Sequence, residues 1–506
     1  MSVAVNHIDS GMMLHELFEG LTDEGLLPRI SVSGLSLDSR TVKPGELFLA
    51  CAGTVRHGVK FIDQAVRNGA AAVALEPAVE TEGFDYDNAA VPIFPVERLH
   101  TLVSELAGRF YGHPSRKMQV VGITGTNGKT SVSQFIAQAI AQSNTCGLIG
   151  TLGSGIVGKL YDTGHTTPDA VVMQSELAKM SESGAGHVVM EASSHALDQG
   201  RVNAVSFDIA IFTNLSHDHL DYHGDMLSYA GAKRRLLEMP ELKSALINND
   251  DETGREWLAN PPAGVEMVSY GLAQREGGRT PDLFAEEIQL GSSGMSFKVD
   301  SRWGSGVVTT PLLGRFNVAN LLASLGALLL LGFAFDDAVF RLNKLETVPG
   351  RMERFGGEGQ PMVVVDFAHT PDALEQVLKA LREHTRGRLW CIFGCGGERD
   401  REKRPKMGHI AEEFADSVIV TDDNPRRENA INIIEDITRT MENPDAVYIN
   451  RDRTAAIERT IALASVQDVI LVAGKGHETE QVVERERIPY SDRETVARLL
   501  GEVVRD

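Results

Sequence analysis

Residues 125–131 read GTNGKTS and directly follow the apolar run QVVGIT. Gly125 and Gly128 let the backbone turn tightly and aim successive N–H groups of Gly125, Thr126 and Asn127 at an anion. A helix beginning near Lys129 adds its partial positive end. In such a loop Lys129 neutralises the β- and γ-phosphates of ATP, the Thr130 hydroxyl ligates Mg²⁺, and Ser131 lies in the same first turn. Longer loops of this kind carry a further glycine five residues before the second, where Ile123 stands here.

Two polar clusters follow. MEASSHALDQGR carries Glu191, Ser193, His195, Gln199 and Arg201, and TNLSHDHLDYHG carries Asp218, His219 and Asp221. A carboxylate and an imidazole at neighbouring strand ends beside a phosphate loop suit Mg²⁺, so Glu191 and His219 are the candidate ligands. His195 is equally well read as a helix-cap histidine. A nucleotide switch is the alternative from another class. Its D-x-x-G appears at 251–254 only in a polar stretch, and NKLE at 343–346 has Glu346 where a guanine-reading Asp is needed.

The elements that position these residues form an α/β pattern. Buried-strand candidates HVVMEAS, FDIAIFTN and SALINN alternate with helical segments as in a mainly parallel sheet, whose ligands collect at the carboxyl ends of the strands. The first hundred residues form a smaller α/β arrangement with a helical pattern at 60–69. A polar stretch at 273–304 reads as a strand meander, and the Leu/Ala-rich run at 321–335 as a buried helix. PMVVVDFAHT, RLWCIFGCGG, DSVIVTDDNP and DVILVAGKGH restart the alternation. Three domains are expected: a small N-terminal α/β domain (1–100), a central P-loop ATPase domain (101–349) and a C-terminal Rossmann-like α/β domain (350–506). Three domains also suit a chain of 506 residues.

Acidic residues number 70 against 49 basic, a net charge of −21, which argues against a nucleic-acid or anionic-membrane partner. The four cysteines, far apart or spaced C-x-x-x-C as Cys391 and Cys395 are, fit reduced thiols in a cytoplasm. The opening residues lack the basic-then-apolar order of a signal peptide.

Taken together, GTNGKT, EASSH, TNLSHDHLDYH with Lys233 fourteen residues beyond His219, LLGRFNVANLLA, PGRMER and DFAHTPDAL resemble the Mur ligase family of peptidoglycan synthesis, over nearly the whole chain. The shorter loop of that family accounts for Ile123. The resemblance implies that ATP phosphorylates a carboxylate to an acyl phosphate, which an amine then converts to an amide. It implies carbamylation of Lys233, which makes that side chain a metal ligand beside Thr130, Glu191 and His219. Lys129, Glu191, His219 and Lys233 become the catalytic set. By the residues alone, AGAKRRLLE favours reading Lys233 as an unmodified surface lysine. Asn317 and Asn320 would contact adenine, although Asn317 also fits a helix N-cap. Arg351, Asp366 and His369 resemble the hinge and third-domain contacts to ATP.

The resemblance further implies a UDP-muramoyl-dipeptide site at Leu37 and Ser39 in LSLDSR, with Thr166, Thr167, Ser193, Gln199 and Arg201. LDSR also fits a plain turn. TDDNPRRENA matches the D-N-P-R motif of members that add meso-diaminopimelate, which implies an amino-acid site of Arg399, Asp423, Asn424, Pro425, Arg426, Gly474 and Glu478. Arg426 and Arg399 would fork onto the far carboxylate and Glu478 would take the far ammonium; a surface turn is the other reading. Three positions depart from the family pattern: Glu398 stands for Asp, ENA for EDP, and His217 for Arg. The implied protein is a cytoplasmic monomer that acts on UDP-N-acetylmuramoyl-L-alanyl-D-glutamate, with an L-lysine-adding or folylpolyglutamate synthetase-like ligase as alternatives.

Overall fold

A computed structural model describes residues 11–53, 56–81, 89–272, 280–291, 294–357 and 359–504. The chain forms two compact units. One comprises residues 1–133, 140–247 and 251–267, the other residues 134–139, 248–250 and 268–506.

The first unit opens with four parallel strands in chain order, Gly34–Ser36, Glu46–Ala50, Ala72–Leu75 and Ile93–Pro95. ELFLA and AVAL are apolar almost throughout because both faces of a parallel sheet are covered. One face packs Leu35, Leu47, Leu49 and Phe94 against Leu14, Phe18 and the helix Leu99–Phe110. A larger sheet follows. Its strands here run Lys159–Tyr161, Gly153–Ile156, Cys146–Gly150, His187–Glu191, Gln119–Thr124, Ile209–Phe212 and Ser244–Asn248. From Gln119–Thr124 the chain passes to Cys146–Gly150, His187–Glu191 returns between the two, and Ile209–Phe212 pairs on the other side. The strand order therefore reverses at the carboxyl end of Gln119–Thr124, where a ligand site is expected in an open parallel sheet.

In the second unit Leu283–Gly291, Gly294–Ser301 and Gly304–Thr310 form the antiparallel meander. Positions 273–279 of that expected stretch lie outside the described residues, as do the first ten residues. The run at 321–335 is a buried helix, Phe316–Leu330, ending sooner than the apolar pattern. A separate sheet orders Glu353–Gly356, Met362–Asp366, Val469–Ala473, Leu389–Phe393, Ser417–Val420 and Tyr448–Ile449, parallel except for its first strand. Its C-terminal ends carry Asp366, the 394–400 turn, Asp423 and Gly474. Among the described residues no helix is long and apolar enough to cross a membrane.

Candidate active site

The phosphate loop joins the strand Gln119–Thr124 to the helix Lys129–Ala141. Neighbouring strands flank it in register, Glu191 opposite Ile123 and Phe212 opposite Thr124. Thr126 N–H donates to Asn214 O at 2.8 Å, Asn127 N–H donates to Asn214 Oδ1 at 2.9 Å, and Thr213 Oγ1 donates to Asn127 O at 2.6 Å. The backbone at Gly125 has φ +145°, and a Cβ there would sit 1.9 Å from Thr213 Oγ1, so only glycine fits.

Glu191 ends its strand with a buried carboxylate. Its Oε1 accepts from Thr151 N at 2.8 Å, and its Oε2 accepts from the hydroxyls of Thr130 and Thr151, each at 3.1 Å. With the Thr130 hydroxyl this buried carboxylate forms an oxygen donor set that fits a hard divalent cation. Thr151 also meets Thr166 Oγ1 at 3.1 Å. Thr151 belongs to none of the sequence motifs; its signal is its place directly after the buried strand CGLIG.

Lys233 is not a surface lysine. It is 1% exposed near the end of the helix Met226–Arg234, its ammonium 4.3 Å from the Tyr229 ring centroid and donating to Gly125 O at 2.7 Å. Lys129 Nζ donates to the same oxygen at 3.0 Å and to Thr126 O at 2.9 Å. Burial, then the charge of Lys129, hold Lys233 well below the usual lysine range. Burial also pushes the Tyr229 phenol up to about 12, while its hydroxyl lies 3.2 Å from Thr126 Oγ1.

His219 differs from expectation. It does not sit at the end of Ile209–Phe212 but several residues later, with φ +53°, capping the short helix Leu220–His223. Its side chain is 49% exposed, 3.4 Å from Asp218 Oδ2, and makes no direct contact with Glu191 among the described residues. No group of three His, Cys, Asp or Glu side chains among them converges as a metal centre, while the Glu191 carboxylate and the Thr130 hydroxyl lie together at 3.1 Å. Ser193, rather than His195, caps the helix Ser194–Asp198. The His195 ring packs 4.9 Å from His219 and 4.2 Å from Tyr222, and burial with His219 and His223 nearby lowers its basicity.

The expected dipeptide contacts gather here as well. Thr167 Oγ1 is buried, donating to Glu191 O at 2.8 Å and accepting from Ser193 N at 3.1 Å. Arg201 forks onto Gln199 Oε1 at 2.9 and 2.6 Å and donates to Thr167 O at 3.0 Å. In the leading sheet Ser39 is buried, donating to Gln64 Oε1 at 2.8 Å, while Leu37 is half-buried and Asp38 pairs with Arg40. Asp251 of the D-x-x-G caps the helix Glu252–Ala259 and accepts from Leu215 N. That satisfies it as a structural aspartate and removes the switch motif.

In the second unit Asn317 and Asn320 are buried, and Asn320 Nδ2 donates to Asn317 Oδ1 at 2.8 Å. Arg315 occupies the N-cap position, while Asn317 Nδ2 donates back to Leu313 O at 2.8 Å, so Asn317 is not the cap. Arg351 lies over the Phe367 ring at 4.6 Å. Asp366 is buried and accepts from Met352 N at 2.7 Å and Ala368 N at 2.8 Å; burial still raises its carboxyl above the usual range. His369 Nδ1 lies 2.8 Å from Phe367 O, its side chain exposed.

The D-N-P-R segment is no surface turn: Asp423, Asn424 and Pro425 are buried. Arg426 has φ +52°, and its backbone extends the hairpin Glu480–Val483/Glu486–Pro489, donating to Val482 O at 3.0 Å and accepting from Glu484 N at 2.7 Å. Arg426 Nη1 donates to Gly397 O at 2.9 Å. A Cβ at Gly396 would lie 2.9 Å from Arg426 Nη1 and 3.6 Å from Arg399 Cγ, which places the two arginines around one glycine. Asn424 Nδ2 donates to Glu478 Oε2 at 2.9 Å.

This arrangement has counterparts among known proteins. The Mur ligase family catalytic domain matches residues 31–111, the Mur ligase middle domain 123–328, and the Mur ligase glutamate ligase domain 350–476. A UDP-N-acetylmuramoyl-L-alanyl-D-glutamate--2,6-diaminopimelate ligase of Coxiella burnetii is 45% identical, over 97% of this chain and 100% of its own. The ligase of the same name from Pseudomonas aeruginosa is 49% identical, over 92% and 94%. A solved structure bearing that ligase name aligns at TM-score 0.70 and 36% identity, covering 97% of this chain and 99% of that one. A MurF ligase from Thermotoga maritima in complex with ADP shares the fold at TM-score 0.62 and 20% identity, over 87% and 93%. The chain belongs to the Mur ligase family.

Proposed function

We propose that this chain is an ATP-dependent ligase that joins meso-diaminopimelate to UDP-N-acetylmuramoyl-L-alanyl-D-glutamate in cytoplasmic peptidoglycan precursor synthesis. The observation that carries the amine assignment is the D-N-P-R segment, where Arg426 and Arg399 flank Gly396 and Glu478 is tied to Asn424. A terminus bearing both a carboxylate and an ammonium needs a fixed cation and a fixed anion, and these residues supply both.

The D-glutamyl carboxylate oxygen attacks the γ-phosphorus of ATP, the bond to the bridging oxygen breaks, and ADP leaves. The amine of diaminopimelate adds to the acyl carbon, loses a proton, and the tetrahedral adduct expels phosphate to leave the amide. Gly125, Thr126, Asn127, Gly128, Lys129, Thr130 and Ser131 orient the phosphates, and Lys129 stabilises charge on the transferring group. Mg²⁺, held by Thr130, Glu191, His219 and carbamylated Lys233, would supply charge neutralisation at the phosphates. Asn317 and Asn320 are assigned to adenine, and Arg351, Asp366 and His369 to the nucleotide. Leu37, Ser39, Thr166, Thr167, Ser193, Gln199 and Arg201 are assigned to the UDP-muramoyl dipeptide. Boundaries near residues 100 and 349 and a monomeric state belong to the same reading.

Phosphate release by purified protein, with the nucleotide dipeptide and a panel of amino acids, tests it. Turnover with meso-diaminopimelate well above that with L-lysine is expected; equal turnover with lysine overturns the amine assignment.

A further inference from the structure

We propose that Lys475 is a positioning residue that holds the Glu478 carboxylate in place for the far ammonium of the incoming amino acid. The inference rests on the amine assignment above.

Lys475 follows the strand Val469–Ala473 and is fully buried, 0% exposed. The chain turns inward at Gly474, where φ is +115° and a Cβ would lie 2.8 Å from Asp423 Oδ2. The Lys475 ammonium has three donors, and three acceptors take them: Glu478 Oε2 at 2.8 Å, Asn424 Oδ1 at 3.1 Å and Glu480 O at 2.7 Å. No proton of this group is left for a ligand, so Lys475 acts through its neighbours.

Two of those neighbours, Glu478 and Asn424, are residues of the proposed amine site. Asn424 Oδ1 also accepts from Val482 N at 2.9 Å, and Asn424 Nδ2 donates to Glu478 Oε2 at 2.9 Å. Glu478 Oε2 is therefore held by two donors, one of them charged, while no described residue donates to Oε1. The Glu478 side chain remains 35% exposed. A partly exposed glutamate ordinarily samples many rotamers, and ordering it on binding costs conformational entropy. With Oε2 anchored, Oε1 is a single acceptor of fixed direction before the amine arrives. The same ammonium, through Asn424 and Glu480, fastens the D-N-P-R segment to the hairpin that Arg426 extends, so the anion and cation of the site share one buried strut.

The test compares Lys475→Met, Lys475→Gln, Glu478→Gln and the Lys475→Met/Glu478→Gln double variant with the wild-type chain in steady-state kinetics. Lys475→Met is expected to raise KM for meso-diaminopimelate roughly tenfold or more, the loss of one charge-assisted hydrogen bond, with KM for ATP and for the nucleotide dipeptide unchanged. Lys475→Gln should fall between Lys475→Met and wild type, and the double variant should match Glu478→Gln. Equal rises in all three KM values, additive effects in the double variant, or loss of folded circular dichroism in both Lys475 variants while Glu478→Gln folds would assign Lys475 to the core alone and overturn the inference. Wild-type protein that does not turn over meso-diaminopimelate at all would instead overturn the amine assignment, and is read before any variant.

Discussion

Lys129 and Lys233 donate to one and the same oxygen, the carbonyl of Gly125, at 3.0 and 2.7 Å. The Lys233 ammonium is buried and faces a second ammonium across one acceptor; burial first, then the charge of Lys129, holds it well below the usual lysine range. Its neutral amine therefore persists to lower pH than that of an exposed lysine, and the neutral amine is the form that reacts with carbon dioxide. Conversion to a carbamate would replace the repulsion by attraction to Lys129 and to a divalent cation. With ¹³C-bicarbonate a protein carbamate resonance is expected in wild type and absent in Lys233→Ala. It should decline as pH falls through the depressed amine pKa, because the ammonium cannot form it. Lys233→Ala should lose roughly 10²-fold or more in kcat, the scale of removing one charge-stabilising group, and a short carboxylic acid should restore part of it.

Thr151 is expected to matter although it holds no phosphate in the proposed mechanism. Its N–H and hydroxyl supply two of the three hydrogen bonds to the Glu191 carboxylate among the described residues, and the same hydroxyl meets Thr166. Thr151→Val keeps the shape and the N–H but removes the hydroxyl, so the carboxylate loses one buried partner worth about 1–2 kcal/mol. Activity should fall several-fold, with the required Mg²⁺ concentration rising. A titration of rate against Mg²⁺ that superimposes on wild type would leave Thr151 without that role.

Arg426→Ala should damage use of meso-diaminopimelate far more than ATP binding. The Arg426 backbone is already tied into the hairpin through Val482 and Glu484, so truncating the side chain removes the guanidinium while the loop keeps its path. A loss of about 2–5 kcal/mol in kcat/KM for the amino acid is expected for one partner of a desolvated charge pair. Nucleotide affinity by calorimetry should be unchanged; an equal fall in both would mean the arginine supports the fold.

Much of this was legible in the residues because the motifs sit where strand order and glycine geometry leave few choices. QVVGIT followed by GTNGKT had to be a buried strand turning into a helix, and HVVME had to deliver Glu191 to the same edge. Less legible was anything set by contacts distant in the chain. AGAKRRLLE does not mark Lys233 as buried, because the oxygen its ammonium reaches, Gly125 O, lies more than a hundred residues away in the chain. His219 was displaced from the expected strand end because the strand stops at Phe212 and the polar segment after it pairs with the phosphate loop instead, Ser216 N–H donating to Thr126 Oγ1 at 3.0 Å. Lys475 was hidden in the same way: GKGHE drew the eye to the glutamate, and only the fold shows the lysine beneath it.

Beside the departing positions, one carboxylate shared with the family pattern gathers several donors. Glu428 accepts a two-pronged bond from the buried Arg404, 2.8 Å to each oxygen, a further contact from Arg401 at 2.8 Å, and the N–H of Glu398 at 3.0 Å. These donors, Arg404 foremost, hold the Glu428 carboxyl down to about 2. A carboxyl with a depressed folded pKa stabilises the protein above its unfolded value near 4.5, and that contribution is lost as pH falls from there towards 2. Glu428→Gln leaves Arg404 buried with Asp436 as its remaining ion-pair partner. A loss of roughly 3 kcal/mol or somewhat less is expected, seen as a lower melting temperature at pH 7. Between pH 5 and 3 the wild-type melting temperature should fall faster than that of the variant, because only the wild type still has this carboxylate to protonate. Parallel melting curves across that range would mean that the Glu428 carboxyl titrates alike in the folded and unfolded chain, and so is not held down by its arginines.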